Sequence, residues 1–211
     1  MKPSRSIDEL EHIAARIRRT AGLEAVATFD VVDAVEHRFV KIFPGLKLIR
    51  VPDEQLPHAE AEANSSTNTI LIRESTYHQA KDWKPRARLI LIEEVCHIAL
   101  GHTGPRYRRD PAQGKIYCRT EKRDEHEARQ LAALLLAPTA LAKDCSSPEE
   151  MAELFFLSGE ASEYRWEEVQ RTKRRETGKL RELPPGVVDF LREQRRKGFH
   201  VTSLKDHDEE S

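Results

Sequence analysis

The chain has 211 residues, 38% hydrophobic and 34% charged; that length suits one generous domain or two small ones, and periodic apolar runs exclude a wholly disordered chain. The 35 Lys and Arg against 36 Asp and Glu leave a formal net charge of −1, so global charge argues neither for nor against nucleic acid. Three cysteines, Cys96, Cys118 and Cys145, are too few and too scattered for a disulfide framework. No N-terminal stretch resembles a signal peptide and no run approaches the ~18 apolar residues of a membrane span. The expectation is a protein of a reducing compartment, the cytoplasm, with no membrane partner.

Residues 6–22 read as a first helix, with Ser6 as cap, Asp8 and Glu9 in the first turn and Gly22 as the stop. A second helix is predicted over 30–43, ended by Pro44-Gly45. Strand-like runs follow at 46–51 and 69–73, the latter preceded by turn chemistry at 64–68. His58, Glu60 and Glu62 fall in a turn region and are read as solvated. Residues 84–101 are helical in pattern. The stretch 103–122 reads as a loop with a short strand at 115–118. A helix over 122–137 stops at Pro138. Ser147-Pro148-Glu149-Glu150 starts another that runs to about Phe156. A Ser158-Gly159 turn leads to a helix from Ala161 to about Arg175, and 186–198 is a last amphipathic helix.

The residues that carry chemistry lie in 89-LILIEEVCHIALGHTGP-105. On a helix, Leu89, Ile92, Cys96 and Ala99 or Leu100 form one apolar stripe, so Cys96 reads as a small core residue. Glu93 and His97 are four apart and share a face. A carboxylate and an imidazole so placed can reach one metal ion. Glu94, about 100° round the helix, can reach a water bound to that ion. A third ligand must come from elsewhere, and the helix over 122–137 offers Asp124, Glu125, His126 and Glu127. Glu125, Ala128, Ala132 and Leu135 share a side whose small residues permit close helix packing.

The run EEVCHIALGH followed by DEHEARQLAALLLAP resembles the ImmA/IrrE family of metallopeptidase-like proteins. That family pairs a His-Glu-x-x-His helix, often trailed by Gly-His, with a Glu-x-x-Ala-Asn/Asp helix that ends at a proline. The likeness spans roughly residues 8 to 170, with the two helices as its specific part. It implies an α+β fold: a zincin-like metallopeptidase core, a small sheet packed on helices, over residues 1–140, and a helical C-terminal extension with a charged tail over 141–211. By resemblance Glu93, His97 and Glu125 are metal ligands, Glu94 is the general base, and the metal is zinc. The implied activity is endopeptidase cleavage of a partner protein, such as a helix-turn-helix repressor, in a stress response, phage or mobile element.

Two positions depart from the pattern: Glu93 replaces the first histidine, and Arg129 stands where an asparagine or aspartate orients a ligand imidazole. Two carboxylates and one imidazole leave about zero net charge around a divalent ion. That weakens its Lewis acidity and shifts preference from zinc toward manganese or iron. The alternative is that no metal binds and Arg129 pairs with Glu93 or Glu125, leaving a catalytically inactive, protein-binding member of toxin–antitoxin or phage regulation. His102 reads first as a cap of helix-end carbonyls. Cys118 could reach a metal as a thiolate.

The outline helix, Ser-Gly turn, helix over 150–169 admits a third reading, a DNA-binding helix-turn-helix presenting Glu160, Ser162, Arg165 and Glu168 outward. Residues 165–197 hold 11 Lys or Arg against 6 Asp or Glu, but glutamates on a recognition helix repel phosphates. The competing expectation is a helical hairpin that closes the core.

Overall fold

A computed structural model of the protein describes residues 4–103, 119–177 and 185–199. Helix α1, Ile7–Thr20, starts as its sequence dictates: Ser6 accepts the Glu9 N–H at 3.2 Å and Glu9 accepts the Ser6 N–H at 2.7 Å, a reciprocal capping box. Its stripe of Leu10, Ala14 and Ile17 is buried. The predicted helix over 30–43 is not continuous. A single turn, α2 (Val31–Asp33), capped by Asp30, widens into a π turn over Ala34–Arg38 and tightens into a 3₁₀ turn over Phe39–Lys41. Four valines in this stretch lose side-chain freedom in a helix, so the local preference for a regular one is weak.

A three-stranded sheet follows in the order β1-β3-β2, with β1 at Lys47–Val51, β2 at Ala61–Asn64 and β3 at Thr69–Arg73. β1 runs parallel to β3, Lys47 opposite Thr69, whereas β2 is antiparallel to it, Ala61 opposite Ile72. β2 lies within the stretch read from sequence as a turn. Alanine, glutamate and asparagine have low strand propensity, and pairing with β3 overrides it. The hairpin turn is set by the Asn64 side chain, which accepts the Ser66 N–H at 3.0 Å, and by Asn68 at φ +50°. Ile70, Ile72, Ala61 and Ala63 are buried on one face.

A helix not expected from the sequence, α3 (Glu74–Lys81), comes next. No side chain at Arg73 caps it. Asp53 does so from a distance, accepting the Ser75 N–H at 3.1 Å and the Ser75 hydroxyl at 2.5 Å. Helix α4 (Pro85–Leu100) opens with proline at its first turn and is buried on nearly every face. Helix α5 (Arg119–Leu136) packs on both α4 and α1, and Ala128 and Ala132 are fully covered, as the sequence requires for close approach. The short α6 (Thr139–Ala142) and α7 (Pro148–Phe155, capped by Ser147) lead to α8 (Gly159–Glu176); α9 spans Pro185–Arg196.

The fold is therefore α+β, predominantly helical with a small mixed sheet. The chain divides into two compact units, Met1–Glu167 and Glu168–Ser211; the second contains the end of α8 and α9. No helix among the described residues is long and apolar enough to cross a membrane.

Two buried arginines tie the first unit together. Arg18 of α1 donates to the carbonyls of Leu135 (2.5 Å), Leu23 (2.8 Å) and Val26, and its guanidinium lies over the Phe29 ring. Arg88 of α4 donates to the Phe29 carbonyl at 2.9 Å and stacks on Trp83. Burial pulls each guanidinium down to a pKa of about 10.

Candidate functional site

Because α4 is surrounded, its polar residues are forced inside: Glu93, Glu94 and His97 are all buried. A buried carboxylate is costly unless it is paired, and each of these side chains has a partner. Glu94 Oε2 accepts the backbone N–H of Ala63 at 2.8 Å. The Arg73 N–H bonds the Glu60 carbonyl, so Glu60, Glu62 and Asn64 form the ladder with β3. By alternation the Ala63 N–H points off the outer edge of the sheet, and there the Glu94 carboxylate holds it. Glu93 Oε1 accepts from Arg129 Nε at 3.2 Å. His97 Nε2 stands 3.5 Å from Glu125 Oε1.

These last two contacts define the site. Glu93 and His97 are one turn apart on α4; Arg129 and Glu125 are one turn apart on α5 in the reverse direction. The helices are therefore antiparallel here, and the four side chains make two stacked rungs, Glu93–Arg129 and His97–Glu125. His97 and Glu125, paired by the resemblance, do come together. Glu93 shares their face but bonds to Arg129. Among the described residues no three His, Cys, Asp or Glu side chains form a ready group of metal-binding spacing.

Behind His97 lies a second layer that sequence reasoning missed. α4 ends in a Schellman motif: Gly101, at φ +65°, donates to the Ile98 carbonyl and the His102 N–H to the His97 carbonyl at 3.0 Å. This wrap carries the His102 ring back onto His97. The two Nδ1 atoms are 3.1 Å apart and the rings meet edge to face, centroids 5.2 Å apart. The His102 ring thus supports His97, and its backbone, not its side chain, closes the helix. His102 Nε2 faces Glu127 at 3.7 Å and Asp124 at 3.9 Å. Glu127, buried, also accepts from Arg5 Nη1 at 2.6 Å, the Arg5 N–H at 3.1 Å and the Ser4 hydroxyl at 3.0 Å. Burial alone would raise its pKa; the bonds from Arg5 and Ser4 outweigh burial and lower it. Arg5 also donates to the Leu100 carbonyl at the end of α4.

His102 Nε2, buried, makes no hydrogen bond among the described residues. One arrangement of the Nδ1–Nδ1 contact has His97 donating and His102 accepting, which leaves the His97 Nε2 lone pair on the Glu125 side. That is the form in which an imidazole ligates a metal, oriented by a hydrogen bond at its other nitrogen. With Glu93 and Glu125, the donor set of two carboxylates and one imidazole fits a divalent cation.

The remaining candidates resolve into ordinary roles. Cys96 is a core thiol, its pKa well raised by burial and then by Glu93 and Glu94. Glu60 pairs with Arg86 at 2.5 Å, and Glu62 is exposed on β2. Cys118 and the strand expected at 115–118 lie outside the described residues. The outward face expected of a recognition helix is turned inward at two of its positions: Ser162 and Arg165 are buried. Arg165 donates to the Ala137 carbonyl at 2.9 Å and to the Thr139 hydroxyl at 2.6 Å. The start of α8 is thus held against the segment that follows α5. No protein-family model matches the chain, and no curated protein matches it.

Proposed function

We propose that the chain is a zincin-like, ImmA/IrrE-type metallopeptidase of the cytoplasm that cleaves a regulatory protein partner such as a helix-turn-helix repressor. Glu93, His97 and Glu125 hold a divalent cation, zinc by resemblance or manganese or iron by the carboxylate-rich donor set. The observation that carries this reading is the approach of His97 Nε2 to Glu125 across two helices, 3.5 Å, with Glu93 one turn away. When bound, the ion polarises the scissile carbonyl and acidifies a water. Glu94, adjacent on α4, accepts the water's proton. His102 backs the His97 ring through the Nδ1–Nδ1 contact at 3.1 Å.

One observation favours a second reading: Arg129 already neutralises Glu93 at 3.2 Å. In that reading the same face binds a partner without hydrolysis, as a phage or toxin–antitoxin regulator. DNA binding ranks third, since Ser162 and Arg165 are buried.

Calorimetric titration of chelator-treated protein with Zn²⁺ and Mn²⁺ separates the first two. One ion bound per chain, lost in His97→Gln and in Glu125→Gln, is the expected result. Absence of binding at millimolar metal in both the folded wild type and Arg129→Ala refutes the metal site and leaves the binding module.

A further inference from the structure

Resting on the metal-site reading above, we propose that Arg129 is a built-in competitor of the metal: its guanidinium occupies Glu93 when no ion is present and must swing out for an ion to bind. Two features point to exchange rather than a fixed structural bridge. The Glu93 side chain is 6% exposed while that of Arg129 is 68% exposed. The carboxylate is thus sealed in and the guanidinium is tethered from the solvent side. The one hydrogen bond that Arg129 makes to Glu93 uses Nε, the donor nearest the stem, at 3.2 Å. The bidentate fork that gives arginine pairs their strength is not engaged.

Charge favours a cation on Glu93 in either state. Glu93 and Glu94 are consecutive and both buried, and Glu94 is committed to the Ala63 N–H. A divalent ion beside His97 and Glu125 would repel a guanidinium held on the same carboxylate, so the two cations exclude each other. Apparent metal affinity is then the intrinsic affinity scaled by the fraction of molecules whose Arg129 has left. Metal supply, rather than folding, sets the state of the site. A partner carboxylate that captures Arg129 would raise the metal affinity.

The test is calorimetric titration of Mn²⁺ and Zn²⁺ into chelator-treated wild type, Arg129→Ala, Arg129→Lys and His97→Gln. Arg129→Ala takes a cation from buried Glu93, so circular dichroism establishes that each variant is folded before titration, and Arg129→Lys keeps a charge at the site. Arg129→Ala should bind metal roughly tenfold more tightly, and Arg129→Lys should stay within about threefold of wild type because the charge remains. Binding by Arg129→Ala where wild type shows none also supports the proposal. Equal affinity in wild type and Arg129→Ala, with binding abolished in His97→Gln, overturns the competition while the metal site stands. No binding in wild type or in Arg129→Ala overturns both.

Discussion

Glu94 combines two roles that substitution can separate. It is buried, and its Oε2 accepts the Ala63 N–H at 2.8 Å at the edge of β2. A hydrogen bond to a charged acceptor contributes about 1.5–3 kcal/mol, and leaving a buried N–H unmatched forfeits that contribution. Glu94→Ala also vacates space against the strand, so we expect a loss of about 3 kcal/mol. Glu94→Gln keeps the shape and an amide oxygen that can accept the same bond, and it removes a charge next to buried Glu93. Its loss should be about 1 kcal/mol or less. Urea denaturation of both variants measures the difference, and hydrogen exchange at the Ala63 amide locates it: faster in Glu94→Ala, near wild type in Glu94→Gln. Equal stabilities, or an Ala63 amide indifferent to Glu94→Ala, would refute the reasoning. If the contrast holds, any hydrolytic activity lost in Glu94→Gln is a loss of chemistry rather than of fold.

Two further outcomes follow from named contacts. Arg18→Met should destabilise by about 3 kcal/mol in chemical denaturation, because three carbonyls lose their donor; an unchanged midpoint would mean that the cost of burying the charge, visible in its pKa of about 10, outweighs those bonds. Asp53 has its pKa lowered by the Ser75 hydroxyl and then by the Ser75 N–H. Its contribution is therefore present above the ordinary aspartate pKa of ~3.9 and is lost as pH falls through the lower folded value. Thermal melts of wild type and Asp53→Ala should converge on acidification, and a gap constant with pH would contradict the assignment.

Local signals carried much of the fold. The capping box at Ser6 and Glu9, Pro85 at the start of α4, Pro138 after α5 and Ser147-Pro148 before α7 were legible because each acts within one turn of itself. β2 and α3 were not. The first has strand-averse residues made into a strand by β3, and the second takes its cap from Asp53, 22 residues away. The site divides along the same line. Spacing of four residues on each helix was enough to put Glu93 with His97, and the resemblance supplied Glu125. Pairing of Arg129 with Glu93 was one of two alternatives that charge alone left open. The backing layer was invisible because Arg5 and Glu127 are 122 residues apart, and because the turn that folds His102 onto His97 depends on a left-handed Gly101.

The clamp between α1 and α5 has a consequence during synthesis. Arg18 waits 117 residues for the Leu135 carbonyl, and Arg5 waits still longer for Glu127. At ribosomal speeds of ~5–20 residues per second, the first helix spends on the order of ten seconds with its apolar stripe uncovered. The nascent chain therefore offers chaperones an early amphipathic segment, and the rungs between α4 and α5 gain their final support only when the two ends of the first unit meet.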